Sequence, residues 1–262
     1  MSEKSNINKV VNVNDILAIT KYAGNIIMGY YKSDMDVVHK LDKSPVTEAD
    51  IKANDYIVHK LKEIAPKIPV VAEESYKTHN VEHIDIKGYF WLVDPLDGTK
   101  GFLKHNDQFT VNIGLIYNKK PVFGVVQIPA KELLYYVGED GNAYRIKGNN
   151  SPEKISAKNP DAAGFDVIVS HSHKDPRTDD FLKKYNIRNS VSSASSIKFC
   201  VVAEGGADIY PRFGRTMEWD TAAGHAILNA AGGSVKNVDG SEFLYGKDKF
   251  ENPDFIAWGK IK

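Results

Sequence analysis

Apolar residues along this chain repeat at two different spacings. Ile16, Ile19, Ala23, Ile26, Ile27 and Tyr30 follow a helical stripe, and Asn14 offers an N-cap, so a first helix is predicted to about Tyr31. Val37, Val38 and Leu41 suggest a short strand before Ser44-Pro45 interrupts. A second helix is predicted from about Thr47, with Ile51, Ile57, Leu61 and Ile64 on its apolar face and Asp50 in its first turn. Pro69 to Ala72 reads as a short buried strand ending in a Glu73-Glu74-Ser75 loop, and His79 to Lys87 as an exposed polar loop. Phe109 to Tyr117, Val122 to Ile128, Leu133 to Val137 and Ala143 to Ile146 then form a run of strands. They are separated by turns at Asn118 to Pro121, Pro129 to Glu132 and Glu139 to Asn142.

Asn149-Asn150-Ser151-Pro152 marks the expected lobe boundary, dividing the chain at 1–150 and 151–262. Beyond it strands and helices alternate. Strands are predicted at Val167 to Val169, Ala207 to Phe213, Ser234 to Val238 and Phe255 to Trp258. Helices are predicted at Asp179 to Tyr185, Ile197 to Glu204 and Thr221 to Ala231, the last stopped by Gly232-Gly233. The fold class that follows is α+β. The sequence has no internal repeat or low-complexity segment.

The stretch Trp91-Leu92-Val93-Asp94-Pro95-Leu96-Asp97-Gly98-Thr99 stands out. An apolar strand, Tyr89 to Val93, ends abruptly in two carboxylates spaced by a proline, followed by a glycine turn and a hydroxyl. Alone, such a motif reads as a turn whose acids cap local backbone. Its company changes that reading. Asp50, Glu73, Asp94, Asp97 and Asp220 all end apolar strands or open helices, and grouped together they would repel one another without a cation. Oxygen ligation without clustered Cys or His points to Mg²⁺ or Mn²⁺, and such a cluster supports phosphoryl transfer to water.

Composition narrows the classes. In 262 residues, 42% are hydrophobic and 26% charged, as in an ordinary globular protein with a substantial core. Lys+Arg and Asp+Glu are equal at 34 each, so no global field favours nucleic acid polymers or anionic membranes. The single cysteine, Cys200, excludes an intramolecular disulfide and is expected to be a packed core thiol in a reducing cytoplasm. Met1 to Lys9 lacks a signal-peptide core, and no apolar run is long enough to span a bilayer. A cytoplasmic protein is expected, with a peripheral place at the inner membrane left open.

Glu73-Glu74-Ser75, Trp91 to Thr99 and Glu218-Trp219-Asp220-Thr221-Ala222-Ala223-Gly224 together resemble the signatures of the inositol monophosphatase superfamily. That resemblance covers nearly the whole chain and implies a layered αβαβα fold and a Mg²⁺-dependent, lithium-sensitive phosphatase. Lys100-Gly101-Phe102, Ser195 to Cys200 and Asp208 to Gly214 are similar to one branch, the bacterial 3'(2'),5'-bisphosphate nucleotidases of the CysQ type. Arg215 departs from it, since that branch commonly has proline there.

The resemblance implies that Glu73, Asp94, the Leu96 carbonyl, Asp97 and Asp220 bind two Mg²⁺, with a third served by Asp50 left open. It implies that Asp50, Thr99 and Glu73 activate the attacking water, and that the Gly98 and Thr99 N–H groups receive the scissile phosphate. It also carries Ser195, Lys198, Arg212 and His173 over as nucleotide contacts. The expected substrate is 3'-phosphoadenosine 5'-phosphate, giving AMP and phosphate, with 3'-phosphoadenosine 5'-phosphosulfate as a second candidate and a role in sulfur metabolism. The alternative is an inositol-phosphate or sugar-phosphate phosphatase, against which a second anion clamp, Lys198 with Arg212, discriminates. A catalytically idle binding protein would have no need of Asp50 and Thr99. The chain is expected to act as a monomer or homodimer.

Overall fold

The computed structural model describes residues 10–32, 37–39, 45–78, 84–171 and 175–260. Met1 to Lys9, Leu41, the first part of the predicted polar loop and His173 lie outside them.

Helix α1 (Val13–Tyr31) starts two residues earlier than expected. Its N-cap is Asn12, whose side chain accepts from the Asn14 N–H at 2.9 Å, so Asn14 is the capped residue and not the cap. Strands β1 (Val37–His39) and β2 (Pro45–Thr47) pair antiparallel and lead into α2 (Glu48–Ile64). The buried stripe of α2 is Ala49, Ala53, Ile57 and Leu61, one residue per turn. Ile51 is 43% exposed and Ile64 37%, so both leave the predicted apolar face. Small alanines win the core positions because α2 packs closely on α1.

β3 (Val70–Ala72) is followed at once by α3 (Glu73–Thr78), so Glu73 opens a helix instead of standing on a loop. β4 (Tyr89–Asp97) runs beyond the expected end at Val93. Its register against β5 (Thr110–Tyr117) shifts between Asp94 and Asp97, because Asp94 faces Asn112 while Asp97 faces Thr110. One residue is accommodated as a bulge at Pro95-Leu96, and this re-aims the two carboxylates. A short helix that the pattern does not reveal, α4 (Thr99–Leu103), follows directly.

β6 (Lys120–Ile128), β7 (Leu133–Val137), β8 (Ala143–Lys147) and β9 (Glu153–Lys154) complete a seven-stranded sheet in the order β3-β4-β5-β6-β7-β8-β9. The β5–β6 turn is tighter than predicted. Asn118 and Lys119 at φ 48 and 64 make a two-residue hairpin loop, and Pro121 belongs to the strand.

The second sheet holds β10 (Phe165–Ser170), β11 (Ile187–Ser193), β12 (Ile209–Arg212), β14 (Ser234–Asn237) and β16 (Phe255–Trp258), in the order β11-β10-β12-β16-β14. Its helices are α5 (Pro176–Leu182), α6 (Ile197–Ala203) and α7 (Glu218–Ala230). A small ribbon pairs β13 (Thr216–Met217) with β15 (Glu251–Asn252).

The layers alternate helix, sheet, helix, sheet, helix. α1 and α2 cover one face of the large sheet, and α6 and α7 lie between the sheets. α5 closes the far face of the second sheet through Phe181, which joins Val167, Ile209, Phe213 and Ile256 in a separate apolar cluster. The expected αβαβα layering is therefore observed. The close seat of α7 depends on Gly114 and Gly124, which face each other across β5 and β6. A Cβ on Gly124 would lie 2.3 Å from the Ala223 carbonyl oxygen, and one on Gly114 would lie 2.8 Å from the Ala222 Cβ. Among the described residues, no helix is long and apolar enough to cross a membrane.

Candidate active site

A cavity of about 660 Å³ opens where the end of β4, the start of α7 and the β11–α6 turn meet. Glu73, Asp97, Gly98, Thr99, Ser195, Lys198, Arg212 and Asp220 all line it. Asp94 lies just behind, 2% exposed, and Asp50 in the first turn of α2 is buried near it. These predicted residues therefore converge, although positions 50 and 220 are far apart in the chain. His173 is outside the described residues, so its place is not part of this geometry.

The strand end is held by several independent bonds. Asp94 Oδ1 accepts the Leu96 N–H at 3.1 Å, which pins the Pro95 bulge. The Leu96 carbonyl accepts the Thr99 hydroxyl at 3.3 Å. Gly98 has φ 93, a left-handed conformation that glycine adopts without strain. It must be glycine on steric grounds as well, since a Cβ there would lie 2.2 Å from Ser195 Oγ. Ser195 itself sits at φ 55, and its hydroxyl donates toward the Asp97 and Gln108 carbonyls at 3.0 and 3.2 Å.

Asp97 is the most heavily supported carboxylate. Its Oδ2 accepts the Ser196 N–H at 2.8 Å, and Asn112 and Thr110 side chains at 3.4 Å each. Ser196 Oγ also donates to the Asp220 carbonyl at 2.7 Å, so one serine joins the β4 end to α7. Asp220 Oδ2 accepts the Met217 N–H at 2.8 Å, which caps the helix from inside its first turn. Asp220 thus anchors α7 while lining the cavity. The supporting residues Ser196 and Asn112 escaped the sequence reading. Asn112 did leave a signal: it is a fully buried amide in the otherwise apolar run of β5.

The electrostatics are strongly one-sided at this end. Burial raises the Asp94 carboxyl well above its ordinary value, and Glu73, Asp97, Asp220 and Asp50 raise it further. Burial also raises Asp220, with Asp97 and Glu73 adding to it. Asp97 is raised by burial too, but Lys198 and the Ser196 N–H pull it back. Among the described residues, no trio of His, Cys, Asp or Glu is already closed around an ion. Their chemistry nonetheless fits a hard cation: carboxylate oxygens beside the Leu96 carbonyl, crowded enough that added positive charge relieves their repulsion.

Cations line the rest of the cavity. Lys198 is only 4% exposed; its ammonium donates to the Ser195 carbonyl at 2.6 Å and lies 5.1 Å from the centre of the Tyr210 ring. Burial pushes its pKa down to about 8, with Asp97 opposing and Arg212 assisting. Arg212, 8% exposed, donates to Ser170 Oγ and the Arg215 carbonyl, each at 3.1 Å. Among the described residues its buried Nε has no hydrogen-bond partner. A second cavity of about 500 Å³ shares Ser170, His171 and Arg212 with the first. Thr221 of the third signature, Arg215 and Lys104 also line the main cavity, and of these Lys104 was not singled out by motif.

The sequence model of the Inositol monophosphatase family matches residues 8–258. The chain is 41% identical over 247 residues to the 3'(2'),5'-bisphosphate nucleotidase CysQ of Shigella flexneri, covering 93% of this chain and 98% of that one. Its structure is similar to the crystal structure of CysQ from Bacteroides thetaiotaomicron, described as a bacterial member of the inositol monophosphatase family. The TM-score is 0.80 at 37% identity, covering 95% of this chain and 98% of the other. An inositol monophosphatase from Anabaena shares the fold at a TM-score of 0.75 and 23% identity, covering 95% and 91% of the two chains.

Proposed function

This chain belongs to the inositol monophosphatase family, and from that premise we propose that it is a 3'(2'),5'-bisphosphate nucleotidase. It hydrolyses the 3'-phosphate of 3'-phosphoadenosine 5'-phosphate to give AMP and phosphate. The observation that carries this reading is the pairing, in one cavity, of crowded carboxylates with two buried cations, Lys198 and Arg212. A simple monophosphate needs a single anion site. A nucleoside bisphosphate brings a second phosphate that must be neutralised away from the reacting one, and a guanidinium can do so bidentately.

Membership in this family implies a divalent-metal-dependent reaction, and we assign two Mg²⁺ ions. In this reading Glu73, Asp94, Asp97, Asp220 and the Leu96 carbonyl hold them. When bound, the ions supply neutralisation of the carboxylates, activation of water and stabilisation of the departing oxygen. The chain's own groups do the rest. Asp50 orients Thr99 and, with Glu73, helps activate the attacking water. The Gly98 and Thr99 N–H groups at the start of α4 receive the scissile phosphate. Ser195, fixed in a left-handed backbone, positions the turn that presents Lys198 to the substrate. Lys198 and Arg212 bind the 5'-phosphate, and Ser196 keeps Asp97 and Asp220 at a fixed separation. Cys200 is buried, as expected of a packed core thiol.

The test is phosphate release from 3'-phosphoadenosine 5'-phosphate and from inositol 1-phosphate, side by side with Mg²⁺. A strong preference for the bisphosphate, lost in Arg212→Ala, is expected. Preference for inositol 1-phosphate would keep the hydrolytic chemistry and discard the nucleotide assignment.

A further inference from the structure

The first turn of α7, which carries Asp220, is gripped from outside by the segment that leads into β15. Met217 is held at both ends of its backbone. Its N–H donates to Asp220 Oδ2 at 2.8 Å, and its carbonyl accepts the Asn252 side-chain amide at 2.6 Å. The direction of the Asp220 carboxylate therefore depends on where Met217 stands, and Asn252 fixes that. The same amide nitrogen lies 3.2 Å from Thr216 Oγ1 and 3.2 Å from Thr221 Oγ1, so it spans the turn on either side of Asp220. Asn252 is buried. The Met217 carbonyl can only accept, so the side chain facing it must donate; an amide does so and an ionised carboxylate does not.

The approach of Asn252 is itself enforced. Backbone pairing in the β13–β15 ribbon sets it opposite Thr216. Just before it, Lys249 and Phe250 both sit at φ 54, a left-handed conformation that non-glycine residues keep only where their surroundings over-determine it. The Phe250 ring supplies part of that constraint, with its centre 6.3 Å from Trp219 and 5.5 Å from Tyr76. Trp219 immediately precedes Asp220, and Tyr76 belongs to α3, the helix that Glu73 opens. Tyr76 and Trp219 also meet each other, 5.3 Å between ring centres. Further back, the fully buried Glu218 accepts the Gly246 and Lys247 N–H groups at 2.9 Å each and pairs with the Lys247 ammonium at 2.8 Å. The segment from Gly246 to Asn252 is thus a strap across the start of α7, behind a cavity wall that includes Thr216, Asp220 and Thr221.

We propose that Asn252 is a positioning residue for Asp220: by donating to the Met217 carbonyl it fixes the backbone that aims the Asp220 carboxylate, and so sets the affinity of the acidic cluster for a divalent cation. It acts through Asp220 and touches neither substrate nor metal. This rests on the metal assignment in the reading above.

The experiment compares wild type, Asn252→Ala, the isosteric Asn252→Asp, and Ile27→Ala, a destabilised control in the buried face of α1. Metal-free protein is titrated with Mn²⁺ as the probe, the free ion being followed by electron paramagnetic resonance with no substrate present. Removing a group that stands behind a metal ligand commonly weakens binding by about 10–100-fold, so both Asn252 variants should bind Mn²⁺ about tenfold more weakly. In turnover of 3'-phosphoadenosine 5'-phosphate, the Mg²⁺ concentration giving half the maximal rate should rise by the same factor, with KM at saturating Mg²⁺ held. Ile27→Ala should lower Tm and leave Mn²⁺ affinity unchanged. A loss in Asn252→Ala alone would trace to volume and a loss in Asn252→Asp alone to added charge, and either overturns the proposal. So does unchanged affinity in both, an equal loss in Ile27→Ala, or failure of both Asn252 variants to fold. Wild type that binds no Mn²⁺ would remove the metal assignment. Wild type that binds Mn²⁺ without hydrolysing the bisphosphate would remove only the nucleotidase reading, and the titration would still decide the role of Asn252.

Discussion

Asp94 brings burial and charge into direct conflict: it is almost fully buried beside Glu73, Asp97, Asp220 and Asp50. Its carboxyl in the folded chain holds a proton more tightly than the ordinary value of 3.8. The sign of the linkage follows. Between the unfolded and the raised folded pKa, the folded state binds more protons, so metal-free stability falls as pH rises through that window. Asp94→Asn removes the charge and keeps an oxygen for the Leu96 N–H. In chelator at pH 8 this variant should melt at a higher temperature than wild type, and the difference should shrink toward pH 4 (differential scanning calorimetry). With Mg²⁺ present, its activity should fall by roughly 10²–10³-fold. A metal-free variant that melts lower than wild type at pH 8 would show that repulsion is not what dominates there. At this scale the acids were legible because each ends a strand or opens a helix. Ser196 was not, because its meaning lies in Asp97, 99 residues away, and in the Asp220 carbonyl.

Elements were legible where burial imposes a strict period. The β6–β7–β8 meander and α7 are found close to their predicted bounds. Sequence reading failed where local pattern carries no apolar signal. β11 is an edge strand, Ile187–Ser193, whose residues are mostly polar and exposed, so nothing in its composition announces it. α4 is too short for a helical stripe. In α2, Ile51 and Ile64 misled while Ile57 did not, because the close approach of α1 selects alanine at Ala49 and Ala53 of the interface. The same logic of close approach governs α7. Replacing Gly124 with alanine puts a methyl against the Ala223 backbone, which has no rotamer with which to yield. Gly124→Ala should cost about 1–3 kcal/mol, lowering Tm by several degrees, and should also reduce kcat/KM because α7 carries Asp220. A variant that loses stability with full activity would separate the seat of the helix from the geometry of the site.

At the scale of the whole molecule, the layered arrangement was accessible from motif resemblance more than from periodicity. Sequence order gives strands and helices, but not which sheet each strand joins. β16 illustrates the point. It follows every other strand in the described chain, yet it lies between β12 and β14 and pairs antiparallel with both. β12 in turn carries Arg212, the buried guanidinium of the cavity. A chain stopped after residue 250 should therefore stay protease-sensitive and inactive even though it retains every proposed metal ligand, which limited proteolysis would reveal. For a polypeptide leaving the ribosome, this makes maturation a late event. Asp50, Glu73, Asp94 and Asp97 emerge early and Asp220 later, but β12 and β14 wait for a shared neighbour until Phe255 to Trp258 have cleared the exit tunnel. The enzyme then acquires its anion-binding wall and its activity together, so hydrolysis is withheld from the nascent chain.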